Sequence, residues 1–291
     1  MNLTKNVRLF IGITFIVLAL ACTKDKTEDP VEIPFSFSEI EDIATFHGNL
    51  EGDIVVVNTQ GGPDTELYDE DLTDFINQAQ AQNVLFVNVH QAQTLDPSKF
   101  EDDITFEDAK QYDRLSVDYL KRVLDFFAQY SNKTVYVLGI SFGAFMAQEL
   151  IATHGVDLAA GYLIMVGRLD IEEEFWKNFS RGEYSEFSFD EDGNPSIDFY
   201  GAGEDAFSRN MARLAAGLGY NRYTQRLDYL NDLSKITYVY GERDDAVGRL
   251  SKEEVNFLNK KNARVIPLSG ADHSDAIDEG IGLMKELFNI P

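Results

Sequence analysis

The chain has 291 residues, of which 44% are hydrophobic and 12% aromatic, so it can bury the core of one large domain or two small ones. Its 50 acidic and 25 basic residues give a formal net charge of −25. A surface this acidic repels nucleic-acid phosphates and anionic lipid headgroups, which argues against nucleic acid as a partner.

The N-terminus has the pattern of an export signal. Lys5 and Arg8 form a basic start, and residues 9–21 are almost entirely apolar. This stretch is shorter than the roughly 20 residues of a comfortable membrane span and has the length of a signal-peptide apolar region. It ends in Ala19-Leu20-Ala21-Cys22, which resembles the lipobox of bacterial lipoproteins. The resemblance implies that residues 1–21 are a lipoprotein signal peptide.

The same resemblance implies that Cys22 is acylated and anchors the protein to a membrane of the bacterial cell envelope, facing the periplasm or the cell surface. Cys22 is the only cysteine, which fits lipidation and excludes an intramolecular disulfide. The alternative is ordinary secretory cleavage beside an incidental cysteine. Residues 22–34 are rich in Lys, Asp, Glu, Thr and Pro and are predicted to form a flexible tether. We expect one domain over residues 35–291.

Within that domain, short β-rich apolar runs alternate with helical patterns. Continuous apolar runs are typical of strands covered on both faces. The predicted strands are 53–57, 83–87, 134–138, 162–166, 236–240 and 263–268. The predicted helices are about 70–82, 108–130, 142–153, 250–261 and 275–288. This alternation predicts an α/β fold with a doubly wound, mostly parallel sheet.

One stretch, about residues 168–232, interrupts the alternation. It is rich in aromatic residues and contains no clear core strand. Two short apolar runs flank Asp192-Gly193-Asn194-Pro195 and indicate a hairpin, and residues 204–218 have a helical pattern. We interpret the stretch as a lid over the carboxyl edge of the sheet, with Trp176 or a neighbouring aromatic lining a pocket. Most of its aromatics are explained by packing within the lid.

The segment Gly139-Ile140-Ser141-Phe142-Gly143 carries the strongest signal for chemistry. A buried strand ends just before it and helix formers follow it. A tight strand-to-helix turn holds a serine in a strained conformation and needs very small residues two positions before and after it, which Gly139 and Gly143 supply. Ser141 is therefore predicted to be a nucleophile at a helix N-terminus, where developing negative charge is favoured.

A nucleophilic serine needs a base, and the base needs an orienting acid. Of four histidines, His273 lies between the last strand and the last helix, at the sheet edge expected for Ser141, and is predicted to be the base. His90 ends a strand at the same edge and is expected near the site. Asp244 and Asp245 both follow the strand 236–240, and their side chains must point in different directions, so only one can face His273.

An oxyanion hole needs two donors. One is expected to be the backbone N–H of Phe142. The other is expected from the loop after the first core strand, Asn58-Thr59-Gln60-Gly61-Gly62-Pro63, where two glycines allow the backbone to approach a substrate closely.

Taken together, the Gly-Gly-Pro loop, the G-x-S-x-G turn, the Gly-x-x-Asp segment and the histidine loop resemble the α/β-hydrolase superfamily from about residue 50 to 291. The order Ser141, Asp244, His273 is that of the superfamily. The resemblance implies that the acid is Asp244, three residues after the strand-end glycine, and that the second oxyanion donor is the N–H of Gly62. Gln60 stands where many members have a histidine.

We therefore expect a lipid-anchored serine hydrolase that cleaves a small ester, thioester or amide with an apolar acyl part, with no metal and no organic cofactor. The Gly-Gly-Pro loop with a lid is also similar to proline-iminopeptidase-like members, which hold a substrate amino group with lid carboxylates. Glu172, Glu173 and Glu174 are the candidates for that role. A third possibility is a catalytically silent member used as an envelope binding protein.

Overall fold

A computed structural model describes residues 36–130 and 133–291 of the chain. The predicted signal peptide, Cys22 and the tether lie outside the described residues. The strands are β1 (Ala44–Gly48), β2 (Ile54–Thr59), β3 (Val84–Val89), β4 (Thr134–Ile140), β5 (Gly161–Met165), β6 (Glu183–Phe189), β7 (Pro195–Ala202), β8 (Ile236–Gly241) and β9 (Arg264–Leu268). The α-helices are α1 (Phe37–Glu41), α2 (Asp69–Ala79), α3 (Ala92–Leu95), α4 (Phe106–Tyr130), α5 (Phe142–His154), α6 (Glu173–Ser180), α7 (Ala206–Gly219), α8 (Tyr223–Arg226), α9 (Lys252–Lys260) and α10 (His273–Leu287).

Seven of these strands form one sheet in the order β1-β3-β2-β4-β5-β8-β9. All neighbours are parallel except β1, which pairs antiparallel with β3 at the edge. Two apolar layers cover the sheet, one built with residues of α4, α5 and α9 and the other with residues of α2 and α10. This arrangement confirms the predicted doubly wound, mostly parallel α/β fold.

The six strands predicted from apolar runs are the six parallel strands of this sheet. The central strands β2, β3 and β5 are buried on both faces, which is why their sequences are continuously apolar. Strand β1 was not predicted. It is only half-buried, and Thr45 and His47 within it hydrogen-bond to Asp69, so its sequence lacks an apolar run.

The strand order reverses between β2 and β4. The chain passes from β2 to β3 on one side, and β4 then returns to the other side of β2. The loops leaving the carboxyl ends of two such strands diverge and leave a crevice, the usual ligand site of open α/β sheets. Gln60, just after β2, and Ser141, just after β4, lie at this crevice.

The segment between β5 and β8 contains α6, the β6–β7 hairpin, α7 and α8. Strands β6 and β7 pair antiparallel as a separate two-stranded sheet, with a register irregularity between Glu183 and Ser185. Phe175 and Phe187 stack at 4.9 Å between ring centroids, which joins α6 to the hairpin. The predicted hairpin and the helix predicted at 204–218 correspond to β6–β7 and α7.

Candidate active site

Ser141 occupies a strained turn between β4 and α5. Its backbone has φ 53° and ψ −114°, a conformation rare for residues other than glycine. Its N–H donates to the carbonyl of Met165 at the end of β5. A Cβ atom on Gly139 would lie 2.8 Å from the carbonyl oxygen of Gly143, and one on Gly143 would lie 1.9 Å from that of Thr59. Both glycines are therefore required by the close approach of the backbone.

His273 lies between Ser141 and Asp244. Its Nε2 is 3.0 Å from Ser141 Oγ, and its Nδ1 is 2.9 Å from each carboxylate oxygen of Asp244. His273 begins α10, directly after Asp272, whose side chain caps the helix by accepting from the N–H of Asp275. The structure thus brings the three predicted residues into one hydrogen-bonded chain, although they are far apart in sequence.

Asp244 is held more firmly than a surface carboxylate. Its side chain is almost fully buried, and Oδ1 also accepts hydrogen bonds from the N–H groups of Ala246 and Val247 at 3.1 and 2.9 Å. An ionised carboxylate facing Nδ1 favours the tautomer with a proton on that nitrogen. Nε2 is then free to accept the proton of the Ser141 hydroxyl.

Asp245, the competing aspartate, does not face His273, and neither does Asp170 after β5. Asp245 is exposed; its backbone carbonyl accepts from the N–H of Phe187 at 2.7 Å, and the residue lines the pocket described below. Asp170 accepts hydrogen bonds from the N–H and the hydroxyl of Thr224. His90 hydrogen-bonds to Thr94 and does not line the pocket, and its burial lowers its pKa.

The loop after β2 is braced by Gln60. This side chain is almost fully buried, donates to the carbonyl of Glu66 at 2.8 Å and accepts from the N–H of Tyr68 at 2.7 Å. The amide thus provides both a donor and an acceptor at the position where many members of the superfamily have a histidine. Beyond it, Gly62 has φ 116°, a conformation that side chains rarely adopt. Gly62, Phe142 and Ser141 all line one pocket.

That pocket has a volume of about 330 Å³ and mainly apolar walls. Its residues come from the loop after β2, the start of α5, the segment between β5 and β8, and the loop after β8. They are Gly62, Pro63, Ser141, Phe142, Phe145, Ile171, Phe175, Trp176, Phe179, Tyr184, Ser185, Glu186, Met211, Ala212, Ala215, Ala216, Gly219, Asp245, Ala246 and Val247. The aromatic segment and Ser141 therefore share one cavity, with Trp176 in its wall.

The carboxylates in this cavity are not those considered from the sequence for binding a substrate amino group. Glu172 pairs with Arg168 at 3.1 Å and Glu173 pairs with Lys177, and neither lines the pocket, nor does Glu174. Instead, Glu186 and Asp245 line it. Sequence reasoning missed Glu186, because no local pattern shows which residues of a hairpin face a cavity formed by distant segments.

No group of three or more His, Cys, Asp or Glu side chains in residues 36–130 and 133–291 is arranged to hold a metal ion. Over the same residues, no helix is both long enough and apolar enough to cross a membrane.

Comparison with protein families gives a match to the alpha/beta hydrolase family over residues 90–280, about two thirds of the chain. The chain belongs to this family. The protein is accordingly a hydrolase, and the matched region includes Ser141, Asp244 and His273. Comparison with curated proteins gives no match.

Several solved structures are similar to this chain at low sequence identity. MGS-M2, an alpha/beta hydrolase enzyme from a Medee basin deep-sea metagenome library, has a TM-score of 0.56 at 13% identity, covering 84% of this chain and 93% of that one. TT1662 from Thermus thermophilus has a TM-score of 0.54 at 13% identity, covering 85% and 94%. DcsB, solved in complex with its substrate analogue, has a TM-score of 0.53 at 12% identity, covering 84% and 94%. These likenesses establish the fold.

Proposed function

We propose that this hydrolase is a serine hydrolase that works through an acyl-enzyme, with Ser141 as nucleophile, His273 as base and Asp244 as orienting acid. The observation that carries the proposal is the 3.0 Å distance between His273 Nε2 and Ser141 Oγ, with Ser141 in a strained strand-to-helix turn.

In the proposed reaction, Ser141 Oγ bonds to the substrate carbonyl carbon while its proton moves to His273 Nε2. The resulting oxyanion accepts hydrogen bonds from the N–H groups of Phe142 and Gly62. The imidazolium then protonates the leaving oxygen, sulfur or nitrogen as its bond to carbon breaks. Water, deprotonated by His273, attacks the acyl-enzyme, and the collapse releases a carboxylic acid and restores the serine. Asp244 stabilises the imidazolium during both formation and hydrolysis of the acyl-enzyme.

The pocket supports a small substrate with an apolar acyl part. Its volume suits a group of modest size, and rings such as Trp176 and Phe175 offer no strong polar recognition of an acyl chain. We expect short-chain aryl esters to be hydrolysed faster than proline or alanine arylamides. The pairing of Glu172 and Glu173 with basic residues supports this order, because those carboxylates are not available to a substrate amine.

A second candidate is an exopeptidase of the iminopeptidase kind. It is favoured by one observation, the presence of Glu186 and Asp245 in the wall of the cavity that contains Ser141. Arylamide turnover exceeding ester turnover would replace the esterase proposal with this one.

We further propose that residues 168–232 act as a lid. Support comes from the cavity they share with Ser141 and from the hydrogen bond between Phe187 N–H and the carbonyl of Asp245, next to the proposed acid. A lid that excludes water would favour transfer of the acyl group to the serine.

The test of the central proposal is labelling by a fluorophosphonate probe together with ester turnover. We expect the wild-type protein to be labelled once per chain and Ser141→Ala to be neither labelled nor active. Thr153→Ala, on the same helix α5 and away from the pocket, is the matched control and should be labelled normally. Labelling of Ser141→Ala at the wild-type rate would refute the assignment of the nucleophile.

Finally, we propose that Cys22 is acylated and holds the hydrolase on the bacterial cell envelope. The support is the sequence Ala19-Leu20-Ala21-Cys22 after an apolar stretch of signal-peptide length. We expect Cys22→Ser to release an active protein from membranes. Retention of the variant in the membrane fraction after a carbonate wash would contradict lipidation.

A further inference from the structure

Gln91 is a buried side chain at the crevice with no role in the reaction described above. It follows β3 by two residues and is fully buried. Its Nε2 donates to the backbone carbonyl of Gln60 at 3.0 Å. Strands β2 and β3 are neighbours with Asn58 opposite Asn88, so the loops that leave them meet at this point.

The Gln60 carbonyl lies between Gln91 and the start of α5. A Cβ atom on Gly143 would be 2.8 Å from the Gln60 carbonyl oxygen, and one on Gly61 would be 3.4 Å from Ser141 Cβ. The peptide joining Gln60 to Gly61 therefore packs against the nucleophile turn on one side and receives a hydrogen bond from Gln91 on the other.

The two residues that follow Gln60 are glycines and have no side chains to restrain them. Gly61 and Gly62 can adopt many backbone conformations, so the direction in which the Gly62 N–H points depends on how the preceding peptide is held. The Gln60 side chain holds the loop farther on, at Glu66 and Tyr68. Gln91 provides a side-chain hydrogen bond on the peptide that immediately precedes the two glycines.

The orientation of the Gln91 amide is itself determined. A carbonyl only accepts, so Gln91 must turn its NH₂ group toward Gln60 and its oxygen away. That oxygen accepts a hydrogen bond from Nε2 of Gln93, which is also fully buried. A chain of two amides, from Gln93 through Gln91, thus ends on the Gln60 carbonyl.

We propose that Gln91 is a positioning residue that orients the Gly61–Gly62 backbone so that the Gly62 N–H meets the developing oxyanion. The inference rests on the proposed serine mechanism and adds a residue to it. Gln91 does not contact the reacting atoms and acts through the Gln60 peptide. Its loss should therefore weaken binding of the transition state and leave ground-state binding of the ester nearly unchanged.

The test is Gln91→Met, which keeps the length and bulk of the side chain and removes the donor. Losing a complete oxyanion donor lowers kcat by about 10²–10³-fold, so we expect misplacement to lower kcat by about 10- to 100-fold with KM within about threefold. Turnover is expressed per site titrated with a fluorophosphonate, so that unfolded protein does not count. A trifluoromethyl ketone, whose adduct with serine carries an oxyanion, should bind more weakly by about the same factor as kcat.

Gln148→Met is the matched control. Gln148 is equally buried and donates to the carbonyl of Ala144 within its own helix, so its loss affects stability without touching the loop after β2. If Gln148→Met loses kcat by the same factor, or if Gln91→Met keeps kcat per site within about threefold of wild type, the positioning role is refuted.

If Gln91→Met fails to fold by circular dichroism, Gln93→Met takes its place. It removes the hydrogen bond that fixes the Gln91 amide, and we expect a smaller loss in kcat, again with KM and folding unchanged; unchanged kcat would refute the proposal. An inert and unlabelled wild-type protein would instead refute the serine mechanism. An active wild type with an unaffected Gln91→Met would refute this inference alone.

Discussion

The loops that carry the proposed catalytic residues and the segment that builds the pocket wall are held in different ways. Ser141 and Asp244 are fixed by backbone hydrogen bonds: the N–H of Ser141 donates to Met165, and the Asp244 carboxylate accepts from Ala246 and Val247. The pocket wall formed by α6, β6 and α7 is held largely through side chains: Phe175 stacks on Phe187 and Phe179, and Asn210 of α7 hydrogen-bonds to the backbone of Phe100.

This difference suggests that the strand-end loops determine the reaction and that the pocket wall determines the substrate. Backbone hydrogen bonds at strand ends depend on the fold and tolerate many side chains, so we expect changes in the wall to leave the reactive geometry intact. Substitutions of the catalytic side chains in the strand-end loops should change kcat by orders of magnitude, whereas substitutions in the wall should change substrate preference.

The largest contrast is expected between two adjacent carboxylates. Asp244→Asn should lower ester turnover by about 10⁴-fold, because the amide no longer holds the His273 tautomer that accepts from Ser141. Asp245→Asn should change turnover by less than about 10-fold, since an exposed charge is screened by solvent. The measurement is turnover of one ester at neutral pH, with circular dichroism confirming that both variants fold.

A dead Asp245→Asn beside an active Asp244→Asn would show that the wall residue supplies the acid. Two active variants would place the acid elsewhere, with Asp170 the next residue to test.

A smaller effect is expected at Trp176. This ring lines the cavity and stacks on Phe106 at 6.2 Å, so Trp176→Ala should enlarge the pocket and shift the preferred ester toward longer acyl chains. We expect kcat/KM for a short acyl ester to fall by about 30-fold, since a removed buried aromatic surface is worth on the order of 2 kcal/mol. Tyr229→Ala, an exposed aromatic outside the pocket, is the control. An unchanged chain-length profile would contradict a wall role for Trp176.

Behind the wall, Asp113 predicts a pH-dependent stability. It is buried on α4 against Gly217 of α7, where a Cβ atom would lie 1.9 Å from Oδ2, and burial raises the pKa of Asp113 well above its ordinary value. The folded protein therefore favours the protonated acid, and its free energy of unfolding falls as pH rises above the ordinary carboxyl pKa of about 4.

Asp113→Asn removes this titration. Its free energy of unfolding relative to wild type should increase between pH 4.5 and pH 7.5 by about 1–3 kcal/mol, measured by urea unfolding. Asp118→Asn, at an exposed position of the same helix, should show no such trend. A relative stability of Asp113→Asn that is independent of pH would contradict the prediction.

The smallest effect is expected at Glu186, an exposed carboxylate in the pocket wall. Its charge should favour esters with a cationic leaving group over anionic ones, and Glu186→Gln should reduce that preference by a few-fold, because exposed charges contribute roughly 0–1 kcal/mol. Glu191→Gln, near the tip of the hairpin and away from the pocket, is the control. The ratio of kcat/KM for the two esters, measured at low and high salt, checks the prediction; an unchanged ratio would remove Glu186 from substrate recognition.

The same contrast explains what the sequence could predict. Parallel strands buried on both faces leave continuous apolar runs, so the six parallel strands were predictable, whereas half-buried β1 was not. The role of Gly143 was predictable because a tight strand-to-helix turn needs a very small residue there. In the structure, the Thr59 carbonyl occupies the space that a side chain would need. The positions of Glu186 and Gln91 depend on packing between segments that are far apart in sequence. No spacing of residues along the chain indicates such packing. The choice of Asp244 over Asp245 likewise depended on a family resemblance.

The hydrogen bond from the Phe187 N–H to the carbonyl of Asp245 connects the hairpin mechanically to the residue after the proposed acid. While this bond is intact, the hairpin cannot move away from the sheet without also moving the loop that carries Asp244. Either the bond breaks first, or the loop is pulled and the alignment of His273 is lost with it. Access to the cavity and alignment of the catalytic residues would then be coupled through this hydrogen bond.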